Sequence, residues 1–296
     1  MIVAVIDVGT FSVRWLIADV RSSVELIPLH FSGIITSLGR NLKGECGELR
    51  EEAIEDTLYA IQRALKEAQE HQAKEIYLIG TEAFRRAKNV DNFLSALPLP
   101  LEVLTPEQEG EMAFWAVRSA FPHLPEMIVV DQGGGSIQVV YGSDEPEIIH
   151  SLPFGVLDLT EMFFGVHTPR KENYERCRQF LRTHWNARFP FVPVIGLGGT
   201  ITTLSAIALN LFKYEPEKVH GYPLKRAFLQ RWMKENAYLP LVCWIPPSLY
   251  SEKRAYVLPA GILCWLFLMD RLGCDEVIAS EWGIRHGYLL YKFQRC

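Results

Sequence analysis

The chain has 296 residues, of which 49% are hydrophobic and 22% are charged. This composition is typical of a globular protein and excludes a mainly disordered chain, and the length favours two domains. The 30 basic and 35 acidic residues give a net charge of −5. A general electrostatic grip on nucleic acid or on an anionic membrane is therefore disfavoured, so any polyanion must be held by local groups.

The cysteines and the N-terminal segment both indicate a cytoplasmic protein. The cysteines form no CxxC pair, which argues against a disulfide scaffold or a zinc ribbon and favours reduced thiols. They are Cys46, Cys177, Cys243, Cys264, Cys274 and Cys296. Residues 1–7 lack a basic region and a cleavage site, so they predict a buried strand rather than a signal peptide.

Strands and helices are predicted to alternate along the chain. Apolar runs between turn residues predict strands at residues 2–6, 13–20, 24–27, 75–79, 101–104, 127–130, 137–141, 148–152 and 194–197. Four-three apolar spacing predicts a helix over 49–68. A second helix over 107–120 is opened by Thr105 as cap and Pro106 in the first turn, and a third covers 199–211. The apolar run 255–269 falls short of the ~20 residues of a membrane span, so it predicts a core helix.

A domain boundary is predicted near residue 120, where Pro122, His123 and Pro125 separate a helix from a new strand. The strand that ends in Asp7-Val-Gly9-Thr10 resembles the strand that ends in Asp131-Gln-Gly-Gly-Gly-Ser136. Each domain is therefore predicted to begin with the same strand and glycine turn.

Three glycine turns are candidate anion sites. The turn at 7–12 offers glycine and hydroxyl groups to a phosphate, or is an ordinary hairpin whose Asp7 and Thr10 satisfy the turn. Three consecutive glycines at 133–135 allow unusual backbone freedom, which favours a functional loop. The turn at 196–200 opens a helix whose N-terminus suits an anion, or it is a close helix–strand crossing. An ionised Asp7 accepts hydrogen bonds only, so it suggests a metal ion or a water.

Five segments in order resemble the exopolyphosphatase and guanosine pentaphosphate phosphohydrolase family. They are DVGTFSVR at 7–14, GTEAFRRAKN at 80–89, TPEQEGEMAF at 105–114, DQGGGS at 131–136 and GLGGTITTLSA at 196–206. The resemblance implies an α/β fold of the actin, hexokinase and heat-shock ATPase superfamily. It implies two ribonuclease-H-like domains, with mixed sheets flanked by helices and an active-site cleft between them. The domains are expected at 1–120 and 121–283, with a C-terminal helix at 284–296 that stays apart or returns to the first domain.

The resemblance also carries site residues over. Those expected to bind substrate phosphate are Gly9, Thr10, Phe11, Ser12, Arg14, Arg85, Gly133, Gly134, Gly135, Ser136, Gly198, Gly199, Thr200 and Arg285. Arg85 is suited to a bidentate grip on phosphate oxygens. Arg86 and Lys88 either add charge there or belong to a solvated basic face.

Glu109 is expected to be the catalytic residue, accepting a proton from the attacking water. Glu107 is assigned a structural role in the first turn of the helix. Mg²⁺ is the expected cofactor, with Asp7 and Asp131 orienting it through water.

Two positions depart from the family pattern. Gln138 stands where the family has a glutamate, and a carboxamide cannot act as a base and weakens a metal site. His286 also replaces a glutamate and is expected to be structural. His220 is a further, weaker site candidate.

The expected function is Mg²⁺-dependent release of terminal orthophosphate from guanosine pentaphosphate, inorganic polyphosphate or both, within the stringent response. The short, two-domain length favours the nucleotide or short polyphosphates. One alternative is a protein that binds an alarmone or polyphosphate with little turnover because of Gln138. Another is a small-molecule kinase of the same superfamily, which the Glu109 segment disfavours. No nucleic acid or membrane partner is expected, and the protein is either a monomer or a homodimer.

Overall fold

The computed structural model describes residues 1–21, 25–42 and 47–294, and it divides into two compact units. The first comprises Met1–Phe121, Gly133–Gly135 and Trp282–Cys296, and the second comprises Pro122–Gln132 and Ser136–Glu281. The tip of the second glycine turn therefore belongs, by its contacts, to the first unit.

The first unit is built on a five-stranded mixed sheet. Its strands are β1 (Ile2–Val8), β2 (Ser12–Val20), β3 (Leu26–Ile35), β4 (Glu75–Gly80) and β5 (Leu101–Val103), in the order β3-β2-β1-β4-β5. β1 pairs antiparallel with β2 and parallel with β4. Val3, Val5 and Ile6 are wholly buried in this central strand, because a strand with both faces covered requires a nearly continuous apolar run.

The second unit contains a six-stranded mixed sheet. Its strands are β6 (Met127–Gln132), β7 (Ile137–Gly142), β8 (Pro146–Leu152), β9 (Val194–Leu197), β10 (Pro223–Lys225) and β11 (Glu276–Ala279). Their order is β10-β11-β9-β6-β7-β8. The run β8-β7-β6-β9-β11 repeats the pairing pattern of the first sheet, with two antiparallel pairs followed by two parallel ones. The sequence prediction of a repeated strand and glycine turn agrees with this topology.

Helices flank both sheets. In the first unit they are α1 (Glu51–Glu70), α2 (Glu82–Arg86), α3 (Val90–Ser95), α4 (Pro106–Ala120) and α11 (Ile284–Gln294). In the second they are α5 (Val156–Phe163), α6 (Lys171–His184), α7 (Gly199–Ala208), α8 (Pro216–Val219), α9 (Arg226–Asn236) and α10 (Glu252–Leu272). The helix α11 packs on α4 so closely that a Cβ on Gly287 would lie 1.8 Å from the carbonyl oxygen of Met112.

The helix α10 corrects one step of the sequence argument. It runs for 21 residues through Pro259, so it is long and apolar enough to cross a membrane by length and composition alone. However, 78% of its apolar window is buried inside the protein, and Leu258, Ile262 and Trp265 lie in the main core of the second unit. The prediction of a core helix holds, although the length on which it rested was underestimated.

Most of the other predicted elements are present with shifted ends. The predicted strand 194–197 is β9 without change, whereas the predicted strand 24–27 is the start of a longer strand, β3, and Val24 lies outside the described residues. The third predicted helix ends at Ala208 rather than at residue 211. Cys177, Cys243, Cys264 and Cys274 are free thiols; Cys46 and Cys296 lie outside the described residues.

Candidate active site

The first glycine turn joins β1 to β2. The Gly9 N–H donates to the carbonyl of Ser12 across 3.0 Å, and the N–H of Gly39 donates to the carbonyl of Thr10 across 2.8 Å. The carbonyl of Phe11 accepts from the N–H groups of Thr36 and Ser37. Backbone groups outside the turn thus hold it in place. The Thr10 hydroxyl is buried without a hydrogen-bond partner among the described residues.

The second glycine turn lies directly against the first. A Cβ on Gly134 would come within 2.6 Å of the Cβ of Phe11, and a Cβ on Gly135 within 2.6 Å of the Thr10 hydroxyl oxygen. Real Cβ atoms do not approach other atoms so closely, so both positions exclude any side chain. The consecutive glycines are therefore required by the close approach of two backbones, and the pair of turns forms a compact surface of peptide groups.

Glu109 is held at the start of α4. Thr105 and Gln108 form a reciprocal capping box, in which the Gln108 N–H donates to the Thr105 hydroxyl and the Thr105 N–H donates to the Gln108 side chain. The predicted cap is confirmed, and its partner is Gln108. Glu107 is exposed, whereas Glu109 is only 6% exposed, so the two glutamates of this turn occupy opposite environments.

Arg85 binds the buried carboxylate. It donates from Nη1 to Oε1 of Glu109 across 2.5 Å and to the carbonyl of Leu104, and from Nε and Nη2 to Glu82. Burial opposes the charge on Arg85, but Glu109 and Glu82 outweigh it and raise the pKa of the guanidinium. A cationic neighbour in turn favours the ionised form of a carboxylate, which is the form that accepts a proton.

The arrangement of Arg85 differs from the sequence expectation. Four of its five N–H donors are used by groups of the first unit, so a bidentate grip on phosphate is not available in this structure. Arg85 instead positions Glu109, and its role as a direct phosphate ligand stays a prediction.

Glu82, which the sequence analysis did not single out, and Arg86, which it left between two roles, complete a chain of contacts. Glu82 is 8% exposed and accepts from both Arg85 and Arg86. Arg86 also donates from Nη2 to the carbonyl of Gly135 across 2.5 Å. The chain of contacts therefore runs from Glu109 to the second glycine turn. The only sequence signal for it was the spacing of Glu82, Arg85 and Arg86, which places all three on one short helix. Lys88, by contrast, is exposed.

Strand register explains the placement of the two aspartates. Asp7 on β1 lies directly opposite Arg14 on β2, and Asp131 on β6 lies directly opposite Gln138 on β7. Residues that face each other across antiparallel strands share one side of the sheet, with Cβ atoms about 5 Å apart. Each hairpin thus places a polar side chain beside its aspartate. Gln138 is buried and its amide donates to the hydroxyl of Ser151.

The third glycine turn opens α7 within the second unit. Gly198 has φ +93°, and a Cβ there would lie 2.4 Å from the carbonyl oxygen of Gln132, so this position requires glycine. The guanidinium of Arg254 lies against Gly199, 2.3 Å from where a Cβ would be. Arg254 lies 55 residues after Gly199 in the sequence, so no local motif predicted this contact. The hydroxyl of Thr200 is buried beside Gly261 of α10.

The remaining candidates lie in structural positions. Arg285 is buried and donates to the carbonyl of Trp15 across 3.4 Å. The ring of His286 stacks on Trp282 with centroids 4.6 Å apart, which agrees with the structural role expected for it. His220 accepts from the N–H of Glu281, and burial lowers the pKa of its imidazole.

Two mixed sheets with the same internal strand order, each carrying a glycine turn after its first strand, define an actin-like ATPase type of protein. The family model of the Ppx/GppA phosphatase family matches residues 16–295. The chain belongs to this family and is a phosphohydrolase by class.

Relatives match over nearly the full chain. The protein named exopolyphosphatase 2 of Mycobacterium tuberculosis is 32% identical over 314 aligned residues, which cover 97% of each chain. A crystal structure of the Ppx/GppA family member from Aquifex aeolicus shares 36% identity and a TM-score of 0.82, and covers 100% of this chain and 98% of the other. An exopolyphosphatase from Cytophaga hutchinsonii, at 21% identity and a TM-score of 0.86 over 100% and 98% of the two chains, shares the fold.

Proposed function

We propose that the protein hydrolyses the terminal phosphoanhydride bond of inorganic polyphosphate and releases orthophosphate. The observation that carries the proposal is the chain of contacts from buried Glu109 through Arg85, Glu82 and Arg86 to Gly135. It connects a proton acceptor to a turn of glycine peptide groups, which suits an anion. The name of the Mycobacterium tuberculosis relative supports polyphosphate as the substrate class.

In this mechanism, Glu109 accepts a proton from the water that attacks the terminal phosphorus. The bond between that phosphorus and the bridging oxygen breaks, so the products are orthophosphate and a chain shorter by one phosphate. Phosphoryl transfer depends mainly on positioning and charge stabilisation. The two packed glycine turns would position the terminal phosphate, and the buried Thr10 hydroxyl is a donor suited to one of its oxygens.

Magnesium is part of the proposal. Mg²⁺ keeps several waters in proteins and takes one or two carboxylates, so an aspartate beside a glycine turn is a chemically suitable ligand. Asp7 is the candidate ligand in the first hairpin and Asp131 its counterpart in the second. When bound, the ion would neutralise charge on the phosphate oxygens.

The substrate is tested by incubating purified protein with polyphosphate and, separately, with guanosine pentaphosphate, each with and without Mg²⁺. We expect Mg²⁺-dependent release of orthophosphate from polyphosphate. Release from the nucleotide alone would replace the proposed substrate with guanosine pentaphosphate. Tight binding of polyphosphate without release would contradict hydrolysis and identify a binding protein.

A further inference from the structure

A groove of the second unit lies between α6, α9 and α10, and encloses about 820 Å³. Each helix contributes residues at helical spacing, so one face of each helix lines it. Its basic lining residues are Lys171, Arg178, Arg182, Arg226, Lys234 and Arg271. None of these belongs to the three glycine turns.

The groove is strongly cationic although the chain is acidic overall. Six of its lining residues are lysine or arginine and two are acidic. Both acids have a cationic partner in the groove, since Asp270 pairs with Arg226 and Glu175 lies 3.6 Å from Lys171. The remaining excess of positive charge comes from Arg178, Arg182, Lys234 and Arg271, all exposed. Such a concentration of one sign attracts an anion.

The floor of the groove is apolar and aromatic. Tyr174, Met233 and Leu263 are buried there, and the Tyr174 hydroxyl donates to the carbonyl of Ala237 across 2.8 Å. The ring of Tyr238 is 62% exposed and meets Tyr174 edge-on, with centroids 6.4 Å apart. Tyr238 therefore presents an open aromatic surface beside the cationic rim.

We propose that this groove binds a nucleoside polyphosphate as a ligand. Its volume lies within the range of about 300 to 1,000 Å³ typical of small-molecule sites. The base would stack on Tyr238, and the phosphates would be bound by Arg178 and Arg182, which lie one helical turn apart, with Lys234 on the neighbouring helix. An inorganic phosphate chain has no apolar group to pack on the floor of the groove. The mixed lining therefore favours a ligand that has both an aromatic base and phosphate groups.

The proposal does not depend on the hydrolytic function. It is tested by photolabelling with 8-azidoadenosine triphosphate and mapping the label by mass spectrometry, in full-length protein carrying Glu109→Gln. We expect label in the peptides that contain Tyr174 or Tyr238. Label confined to the glycine turns would overturn the proposal.

Two variants separate charge from base recognition. Arg178→Glu with Arg182→Glu should reduce labelling at least about tenfold, because the change removes two cationic donors and places two negative charges beside the phosphates. Arg176→Glu with Arg188→Glu changes the net charge equally at residues outside the groove and should leave labelling intact. Equal loss in both pairs would contradict a specific site.

Tyr238→Ala keeps every charge, and circular dichroism would verify that this variant is folded. It should weaken binding of the triphosphate nucleotide, measured by calorimetry, and leave binding of inorganic tripolyphosphate unchanged. Displacement of the nucleotide by tripolyphosphate at equal concentration would overturn recognition of the base.

Discussion

Glu82 binds both of the arginines that lie near Glu109. Its two carboxylate oxygens bind two arginines, one of which holds Glu109 while the other holds the carbonyl of Gly135. A single carboxylate thus links the candidate base to a glycine turn. Because it is nearly buried, removal of its charge leaves two cations without their shared partner.

Glu82→Gln is therefore expected to reduce both stability and activity. We expect a loss of about 1 to 3 kcal/mol in the free energy of unfolding, measured with urea, because charged hydrogen bonds of this kind contribute that much. The turnover number for orthophosphate release should fall more than the affinity for substrate. Glu52→Gln, at an exposed position of α1, serves as the control; an equal effect there would contradict the coordinating role of Glu82.

Gln138→Glu tests the magnesium proposal. The new carboxylate would lie directly opposite Asp131, and like charges at facing positions destabilise a sheet by up to about 1 kcal/mol. We expect a lower unfolding temperature without Mg²⁺ and a larger upward shift on adding Mg²⁺ than in the natural protein. An identical Mg²⁺ response in both proteins would contradict a metal ion beside Asp131.

For single residues, the sequence could identify candidate site side chains but not the groups that they contact. Motif position separated Glu109 from Glu107, and the structure shows the corresponding difference in burial. The roles of Arg86 and Arg254 arise from tertiary contacts with Gly135 and Gly199. No spacing along the chain encodes such contacts, so they could not be predicted.

Among the elements, α4 carries Glu109 and is positioned by α11. The two helices touch through backbone at Gly287 and Met112, and Met112 is one turn from Glu109 on α4. The helix α11 therefore helps to position Glu109, although Gly287 and Glu109 lie far apart along the chain.

Gly287→Ala tests this contact, because the close approach determines whether the substitution raises or lowers stability. In an unobstructed helix, alanine stabilises by about 0.5 to 1 kcal/mol relative to glycine. Here the added Cβ would meet the Met112 carbonyl, so we expect a loss of about 1 to 3 kcal/mol in thermal unfolding, with reduced activity. Lys292→Ala on the same helix should cost less than about 1 kcal/mol. A stabilised Gly287→Ala protein would show that the helices are not so close.

Elements with strong local signals were predictable, and elements that depend on packing were not. β9 has a short apolar run between a proline and a glycine turn, and its bounds follow from sequence alone. α10 continues through Pro259 because its core contacts outweigh the lost hydrogen bond. β10 and β11 were not predicted, because these short strands are defined by pairing with each other and with β9, which lie far apart along the chain.

In the molecule as a whole, the two sheets share one strand-pairing pattern, but the two units carry different charged groups. The first unit places a carboxylate and two arginines near its glycine turns, whereas the second carries the cationic groove. Net charge describes neither feature, because both depend on a few local side chains.

Two partly buried histidines make global stability depend on pH. Burial lowers the pKa of His150 and of His220, so the folded protein holds them neutral while the unfolded chain protonates them below about pH 6.5. This contribution to stability is present above that pH and is lost as the pH falls. His150→Phe should flatten the decline in unfolding temperature between about pH 7.5 and 5.5, whereas His167→Gln, at an exposed position, should not. An unchanged slope in His150→Phe would contradict the assignment.

The central claim is that buried Glu109, and not its exposed neighbour, accepts the proton from water. The most direct test compares Glu109→Gln with Glu107→Gln in orthophosphate release from polyphosphate with Mg²⁺, after thermal unfolding has verified that both variants fold. The account predicts that Glu109→Gln lowers the turnover number by about 100- to 10,000-fold, the usual contribution of a general base, while Glu107→Gln retains activity. Full turnover by a folded Glu109→Gln protein would contradict it.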